Sequence, residues 1–149
     1  MSGSSKFNNL EIFMVFRPKP YEVDFTGFIS NTVATKWMED LRVSMTDKFF
    51  PQLNGSNHEH ISVIADTHVK YIKPVSYSDI ICGHAWIDSI AHSRWTIYFK
   101  FSLKDTNLLV MEGQQIGVFI NRNSLMPIRI PEEIKNLFNL TKNYLMSEN

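Results

Sequence analysis

The apolar positions of the chain follow two different periods. From Ile29 to Phe49 an apolar residue recurs at every fourth position. The apolar face that results is wide, which is typical of an α-helix packed closely against a sheet. Ser30 and Asn31 are suitable N-caps for this helix, and Pro51 ends it. The pattern therefore predicts one long, largely buried helix in the first third of the chain.

The rest of the chain has the pattern of strands. Arg94 to Leu103 alternates strictly, with large apolar residues at the odd positions and mostly polar residues between them. The links between successive runs are short, which favours antiparallel neighbours. Pro131 suits the first turn of a closing helix. The predicted strands are Leu10–Arg17 before the long helix, and Ile61–Lys73, Asp79–Ser89, Ser93–Leu103 and Leu108–Ile120 after it.

This order of elements predicts an α+β fold, with one long helix against one face of a five-stranded antiparallel sheet and a short C-terminal helix. Residues 1–9 are small and polar and are predicted to be a flexible N-terminal tail. Residues 10–149 have the length of a single domain. An open sheet leaves edge strands unpaired, and oligomers often cover such edges.

The composition limits the partners and the compartment. Lys and Arg total 15 and Asp and Glu total 15, so the chain lacks the excess of positive charge that a general nucleic-acid binder needs. No apolar run is long enough to span a membrane or to resemble a secretion signal. The single cysteine excludes a disulfide within one chain. We predict a cytoplasmic protein with no membrane span and no nucleic-acid partner.

One carboxylate lies just ahead of the long helix. Asp24 is followed by Gly27, which suits a tight turn or a close approach of backbone to ligand. The first turn of a helix presents unpartnered N–H groups at the positive end of the helix dipole, where a carbonyl oxygen becomes polarised. Asp24 would then attack that carbonyl or activate water. An Asp at this place also serves simply as a turn residue, and the spacing alone leaves both interpretations open.

An ordered set of motifs resembles one enzyme family. The set consists of Asp24-x-x-Gly27, Ser30-Asn31, Trp37-Met38-Glu39-x-x-Arg42, Tyr71-Ile72-Lys73-Pro74-Val75-x-Tyr77-x-Asp79, Glu112-Gly113, Gly117-Val118-Phe119-Ile120 and Pro131-Glu132-Glu133-Ile134. It resembles the acyl-CoA thioesterases of the 4-hydroxybenzoyl-CoA thioesterase type. The resemblance implies the hotdog fold, in which the sheet wraps the long helix, and assembly as a homodimer or homotetramer.

The resemblance also implies an activity. The expected reaction is hydrolysis of an acyl thioester, carried by coenzyme A or by an acyl carrier protein. Asp24 corresponds to the catalytic carboxylate, acting as nucleophile or general base. Gly27 and Asn31 correspond to the helix start whose backbone amides form the oxyanion site. No cofactor is implied, because coenzyme A is part of the substrate.

The substrate-binding residues follow from the same comparison. We expect Phe28, Val33 and Trp37 to contact the acyl chain, although Phe28 stands where the family often carries His. Three cations are candidates for the phosphates of coenzyme A, although solvated strand positions would explain each one singly. These cations are Lys70, Lys73 and Arg94.

Two functions other than thioester hydrolysis stay open. A non-catalytic domain that binds or senses acyl thioesters would keep the pocket and use Asp24 only in the turn. A hotdog dehydratase acting on hydroxyacyl thioesters would need a His paired with a carboxylate, and no His stands at the helix start. No metal site is predicted, because His58-Glu59-His60 lacks the His-Glu-x-x-His spacing that places two rings on one helical face.

Overall fold

The computed structural model describes residues 10–53 and 59–147. The elements in chain order are strand β1 (Glu11–Phe16), helix α1 (Thr32–Phe49), strands β2 (His60–Tyr71), β3 (Ile81–Ala91), β4 (Arg94–Leu103) and β5 (Leu109–Asn121), and helix α2 (Glu132–Ser147). This order confirms the predicted α+β class with its five strands and closing helix. The predicted tail, residues 1–9, and His58 lie outside the described residues, and the proposed domain limits stay a prediction.

The five strands form one antiparallel sheet in the order β1-β3-β4-β5-β2. Strands β3, β4 and β5 are consecutive neighbours, as short links favour. The segment that follows α1 instead leads to the edge of the sheet opposite β1, where β2 pairs with β5. Within the described chain β1 and β2 are therefore the two edges.

The core lies between α1 and the inner face of the sheet. Leu41 and Met38 of the helix are 0% exposed, as is Ile97 of β4. Burying a side chain of this size stabilises the fold by about 1.5–3 kcal/mol relative to leaving it in water. The rings of Phe16 and Trp37 lie 5.0 Å apart and nearly parallel beneath the helix. The predicted alternation of β4 is confirmed, since its odd positions from Ile97 to Phe101 are buried.

The long helix begins at Thr32, directly after Asn31, one of the two predicted N-caps, although the apolar periodicity extends back to Ile29. Ile29 was expected as its first apolar position, but the N–H of Ile29 donates to the C=O of Val75 at 2.8 Å. The N–H of Ser30 donates to the C=O of Glu22, also at 2.8 Å. These bonds hold the segment before Thr32 in an extended path against neighbouring loops. None of the helices in the described part of the chain is both long and apolar enough to cross a membrane.

Candidate active site

A tight turn lies immediately ahead of α1. The N–H of Gly27 donates to the C=O of Asp24 at 3.1 Å, and the N–H of Asp24 donates to the C=O of Phe28 at 3.0 Å. Gly27 has φ 84°, a left-handed conformation that other residues adopt at a cost. Val23 and Ile29 form a β-bridge that closes the base of the turn. Gly27 thus shapes the turn that carries Asp24.

One oxygen of the Asp24 carboxylate is held within this turn. Oδ1 accepts a hydrogen bond from the N–H of Thr26 at 2.8 Å and another from the Thr26 hydroxyl. The hydroxyl bond first, and the backbone bond second, lower the pKa of the Asp24 carboxyl below its usual value. Asp24 is therefore ionised at neutral pH. Within residues 10–53 and 59–147 no group donates to its Oδ2, which leaves that oxygen available to a ligand.

The helix start offers fewer open amides than the predicted run from Gly27 to Asn31. The amides of Gly27, Ile29 and Ser30 all donate to backbone carbonyls. Asn31 is the N-cap of α1, and its own N–H has no acceptor among the described residues. The N–H of Thr32 lies 3.3 Å from Oγ of Ser30, which is a long hydrogen bond. The N–H of Phe28 makes an equally long contact with Oγ1 of Thr26, but it lies in the turn rather than at the helix start. At the helix start itself, the donors open to a ligand are thus at Asn31 and Thr32.

Asp24 and Asn31 line the same cleft, whose volume is about 510 Å³. Its walls come from the turn and helix start on one side and from the exit of β2, residues 71–75, on the other. Phe28, 42% exposed, and Lys73 are part of this lining. The structure therefore brings together four of the predicted site residues. A second cavity of about 60 Å³, beside Phe50 and Trp95, lies at the other end of α1 and has no carboxylate in its lining.

Val33 and Trp37 are not in the cleft, contrary to the expectation that an acyl chain would pass them. Val33 is 0% exposed and Trp37 is 3% exposed. Trp37 packs against the rings of Phe16 and Phe101. The helix periodicity that identified these residues as apolar reflects core packing, and a ligand reaching them would have to displace core side chains.

The three predicted phosphate-binding cations do not meet within one chain. Lys73 lines the cleft. Lys70 pairs in register with Glu112 of β5, whereas Arg94 pairs with Val118 of the same strand. Six residues of β5 separate the two positions, which is ~20 Å of strand. Arg94 therefore lies towards the opposite end of the sheet from Lys70 and Lys73.

Two residues of the site had been given no role from the sequence, although Tyr71 opens one of the quoted motifs. Thr26 holds the Asp24 carboxylate, and the signal is local, because an Asp side chain in a turn commonly accepts from the backbone N–H two residues on. Tyr71 donates its hydroxyl hydrogen to the C=O of Asn31 at 2.8 Å. Burial raises the pKa of the Tyr71 phenol, so it stays protonated at neutral pH. Tyr71 is 40 residues from Asn31 in sequence, and no local pattern reveals that contact.

Comparisons with known proteins agree with this architecture. A predicted thioesterase from Bacillus stearothermophilus has a TM-score of 0.77 at 24% identity, covering 88% of this chain and 96% of its own. A 1,4-dihydroxy-2-naphthoyl-CoA thioesterase from Synechocystis has a TM-score of 0.77 at 11% identity, with coverage of 87% and 96%. A 12:0-ACP thioesterase from Umbellularia californica has a TM-score of 0.78 at 15% identity, with coverage of 95% and 54%.

At these identities the structural likeness shows a shared fold. No individual curated protein matches the sequence. A family model, described as the thioesterase-like superfamily, matches residues 18–138. The matched range includes both sides of the cleft and the four strands from β2 to β5. The chain therefore belongs to the thioesterase-like superfamily and has the hotdog fold.

Proposed function

We propose that the protein hydrolyses an acyl thioester, with Asp24 as its catalytic carboxylate. One observation carries the proposal: the ionised Asp24 and Asn31, the helix N-cap whose N–H has no acceptor among the described residues, line the same cleft. A thioester carbonyl needs a nucleophile on its carbon and donors on its oxygen, and these two groups are of the required kinds. Membership of the thioesterase-like superfamily supports the same conclusion.

The oxyanion site is assigned to the N-terminus of α1. The thioester oxygen accepts from the N–H of Asn31, with the N–H of Thr32 beside it. The N–H of Val33 donates to the C=O of Ser30 at 3.0 Å, and that carbonyl belongs to the same peptide group as the Asn31 N–H. Because a hydrogen bond to the carbonyl polarises the peptide group, the Asn31 N–H becomes a stronger donor. The helix dipole stabilises the negative charge that develops on the oxygen.

Two routes from Asp24 give the same products. In the first, Oδ2 attacks the carbonyl carbon, the C–S bond breaks, and the thiolate leaves with its electron pair and takes a proton from water. Water then hydrolyses the mixed anhydride and regenerates the carboxylate. In the second, Asp24 takes a proton from water as the hydroxide attacks, and the proton passes on to the leaving thiolate. Both routes need Asp24 ionised, which its lowered pKa provides.

The proposed substrate is an acyl-CoA, with an acyl carrier protein as the other carrier. Lys73 at the edge of the cleft is the cation placed to pair with a phosphate of either carrier. Strand β2 is a 12-residue edge within the described chain, and pairing of such edges supports a homodimer or homotetramer. We propose the cytoplasm as the compartment.

The test is thiol release from a panel of short, long and aromatic acyl-CoAs. Wild type is compared with Asp24→Asn, and with Asp40→Asn as a matched control at an exposed position of α1. We expect turnover by wild type and by Asp40→Asn, and a loss in Asp24→Asn of about 10²–10⁴ in kcat, the range for a catalytic acid–base group. Equal rates for wild type and Asp24→Asn would remove Asp24 from the mechanism. The absence of turnover with every acyl-CoA and with an acylated carrier protein would contradict the proposed activity.

A non-catalytic acyl-thioester binding domain is the second candidate. The observation that favours it is the hydrogen bonding of Oδ1 with Thr26, which is what an Asp with a purely conformational role would make. This candidate predicts that acyl-CoA binds wild type and Asp24→Asn equally, measured by calorimetry, while neither protein releases thiol. The dehydratase alternative gains no support, because no His lines the cleft within the described part of the chain.

A further inference from the structure

The last residue of β2 is linked directly to the start of α1. The hydroxyl of Tyr71 donates to the C=O of Asn31 at 2.8 Å, and both residues line the cleft that holds Asp24. The backbone of Tyr71 is in turn fixed by its pairing with Met111 of β5. The hydrogen bond therefore connects the N-terminus of the helix to the sheet at the candidate active site.

Backbone hydrogen bonds hold Ile29 and Ser30 before the helix, but the side chain of the N-cap itself adds no anchor. A typical N-cap side chain accepts a hydrogen bond from the first turn of its own helix, but Asn31 makes no such bond. The nearest substitute is the 3.3 Å contact from the N–H of Thr32 to Oγ of Ser30. The phenol of Tyr71 thus restrains, from another element, the residue whose N–H is open to a ligand.

We propose that Tyr71 is a positioning residue for thioester hydrolysis. By holding the carbonyl of Asn31, the hydroxyl restrains the backbone of that residue, and through it the neighbouring peptide group that carries the Asn31 N–H. The inference rests on the proposed function and adds a residue that acts through the oxyanion donors. Alignment of such donors before the reaction lowers the barrier, because no reorganisation is then needed as charge develops.

The same hydrogen bond acts on a second donor. The C=O of Asn31 and the N–H of Thr32 belong to one peptide group. A donor on that carbonyl polarises the group and strengthens the Thr32 N–H. Tyr71 therefore acts directly on the peptide group of the Thr32 N–H and, through the backbone of Asn31, on the Asn31 N–H.

Tyr71→Phe tests the inference, because it keeps the ring and removes only the hydroxyl. The matched control is Tyr77→Phe, at a position outside the cleft lining whose side chain is 55% exposed. We expect Tyr71→Phe to lower kcat about tenfold, the effect of losing one hydrogen bond that aligns the transition state, with KM within twofold. Tyr77→Phe should match wild type in both constants.

A second measurement does not depend on turnover. Amide hydrogen exchange, followed by NMR, should become faster at Asn31 and Thr32 in Tyr71→Phe and stay unchanged in Tyr77→Phe. If Tyr71 had only a structural role, Tyr71→Phe would lower the melting temperature without changing kcat, and that result would overturn the inference. Equal kcat in wild type and Tyr71→Phe, or a change confined to KM, would do the same.

The two proposals fail in distinguishable ways. An active wild type whose kcat survives Tyr71→Phe removes the positioning role and leaves the proposed function standing. A wild type that releases no thiol from any acyl-CoA or acylated carrier protein removes the function, and the positioning role with it.

Discussion

Trp95 of β4 occupies space that is free only because residue 117 of β5 is glycine. A Cβ at position 117 would lie 2.1 Å from Cε2 and 2.4 Å from Nε1 of Trp95, far inside van der Waals contact. The indole N–H donates to Oγ of Ser62 on β2 at 2.6 Å, so the ring joins three neighbouring strands. Gly117→Ala must therefore displace the indole and break this hydrogen bond.

The expected cost is the sum of three contributions. Overpacking of a well-filled region costs about 1–3 kcal/mol. Loss of the hydrogen bond to Ser62 adds about 1 kcal/mol. Replacing Gly by Ala within a strand returns about 0.5–1 kcal/mol, because glycine loses more conformational freedom on folding. We expect Gly117→Ala to lower the free energy of unfolding by about 1–3.5 kcal/mol, the net of these three estimates.

A double-mutant cycle with Trp95→Leu isolates the clash. In the Trp95→Leu background the obstructing ring and its donor are both absent, so Gly117→Ala should cost less than about 0.5 kcal/mol. Urea unfolding of wild type, both single variants and the double variant gives the coupling energy directly. Gly113→Ala is the control on the same strand, because its Cβ meets the flexible end of Met38 at 2.9 Å and the backbone O of His68 at 3.1 Å, both longer than the contacts at position 117. Additive costs in the cycle, or a Gly113→Ala variant less stable than Gly117→Ala, would refute the reasoning.

Two further predictions concern the site and the core. Thr26→Val removes the hydroxyl bond that contributes most to lowering the Asp24 pKa, so the pKa should rise and the acid limb of kcat/KM against pH should move to higher pH. Thr26→Ser keeps the hydroxyl and should leave the acid limb at the wild-type pH. An acid limb that does not move in Thr26→Val would contradict the assignment of that limb to Asp24. Leu41→Ala should lower the free energy of unfolding by about 2–5 kcal/mol, since Leu41 is 0% exposed. Val43→Ala on the exposed side of α1 should cost less than about 1 kcal/mol in the same urea titration, and equal costs would place the core elsewhere.

The type and order of the elements could be predicted because apolar residues recur with one period in the helix and with another in the strands. The ends of the strands could not be predicted in the same way, because contacts between distant segments decide where a strand ends. The strand predicted as Ile61–Lys73 ends at Tyr71 because the N–H groups of Ile72 and Lys73 both turn to the C=O of Val110. The path of the chain just before α1 has the same kind of cause, in the bond from Ile29 to Val75.

The relative positions of the three cations could not be predicted without knowing the order of the strands in the sheet. Strand β4 runs antiparallel to β5, and β5 runs antiparallel to β2, so β4 and β2 run in the same direction. Arg94 begins β4 and therefore lies level with the beginning of β2. Lys70 is near the end of β2 and Lys73 lies just beyond it. Whether the three cations lie together depends on which strands are neighbours in the sheet, and composition and periodicity do not determine that.

The two interpretations of Asp24 that its sequence position leaves open involve different atoms. The turn uses Oδ1, which accepts from Thr26, whereas the proposed chemistry needs Oδ2. A turn that restrains one oxygen also orients the other, so the conformational role prepares the carboxylate for the catalytic one. Asparagine keeps an acceptor oxygen for the Thr26 N–H but loses the charge. Asp24→Asn therefore preserves the turn while removing the proposed nucleophile or base, and a loss of turnover in that variant reports on the chemistry of the carboxylate.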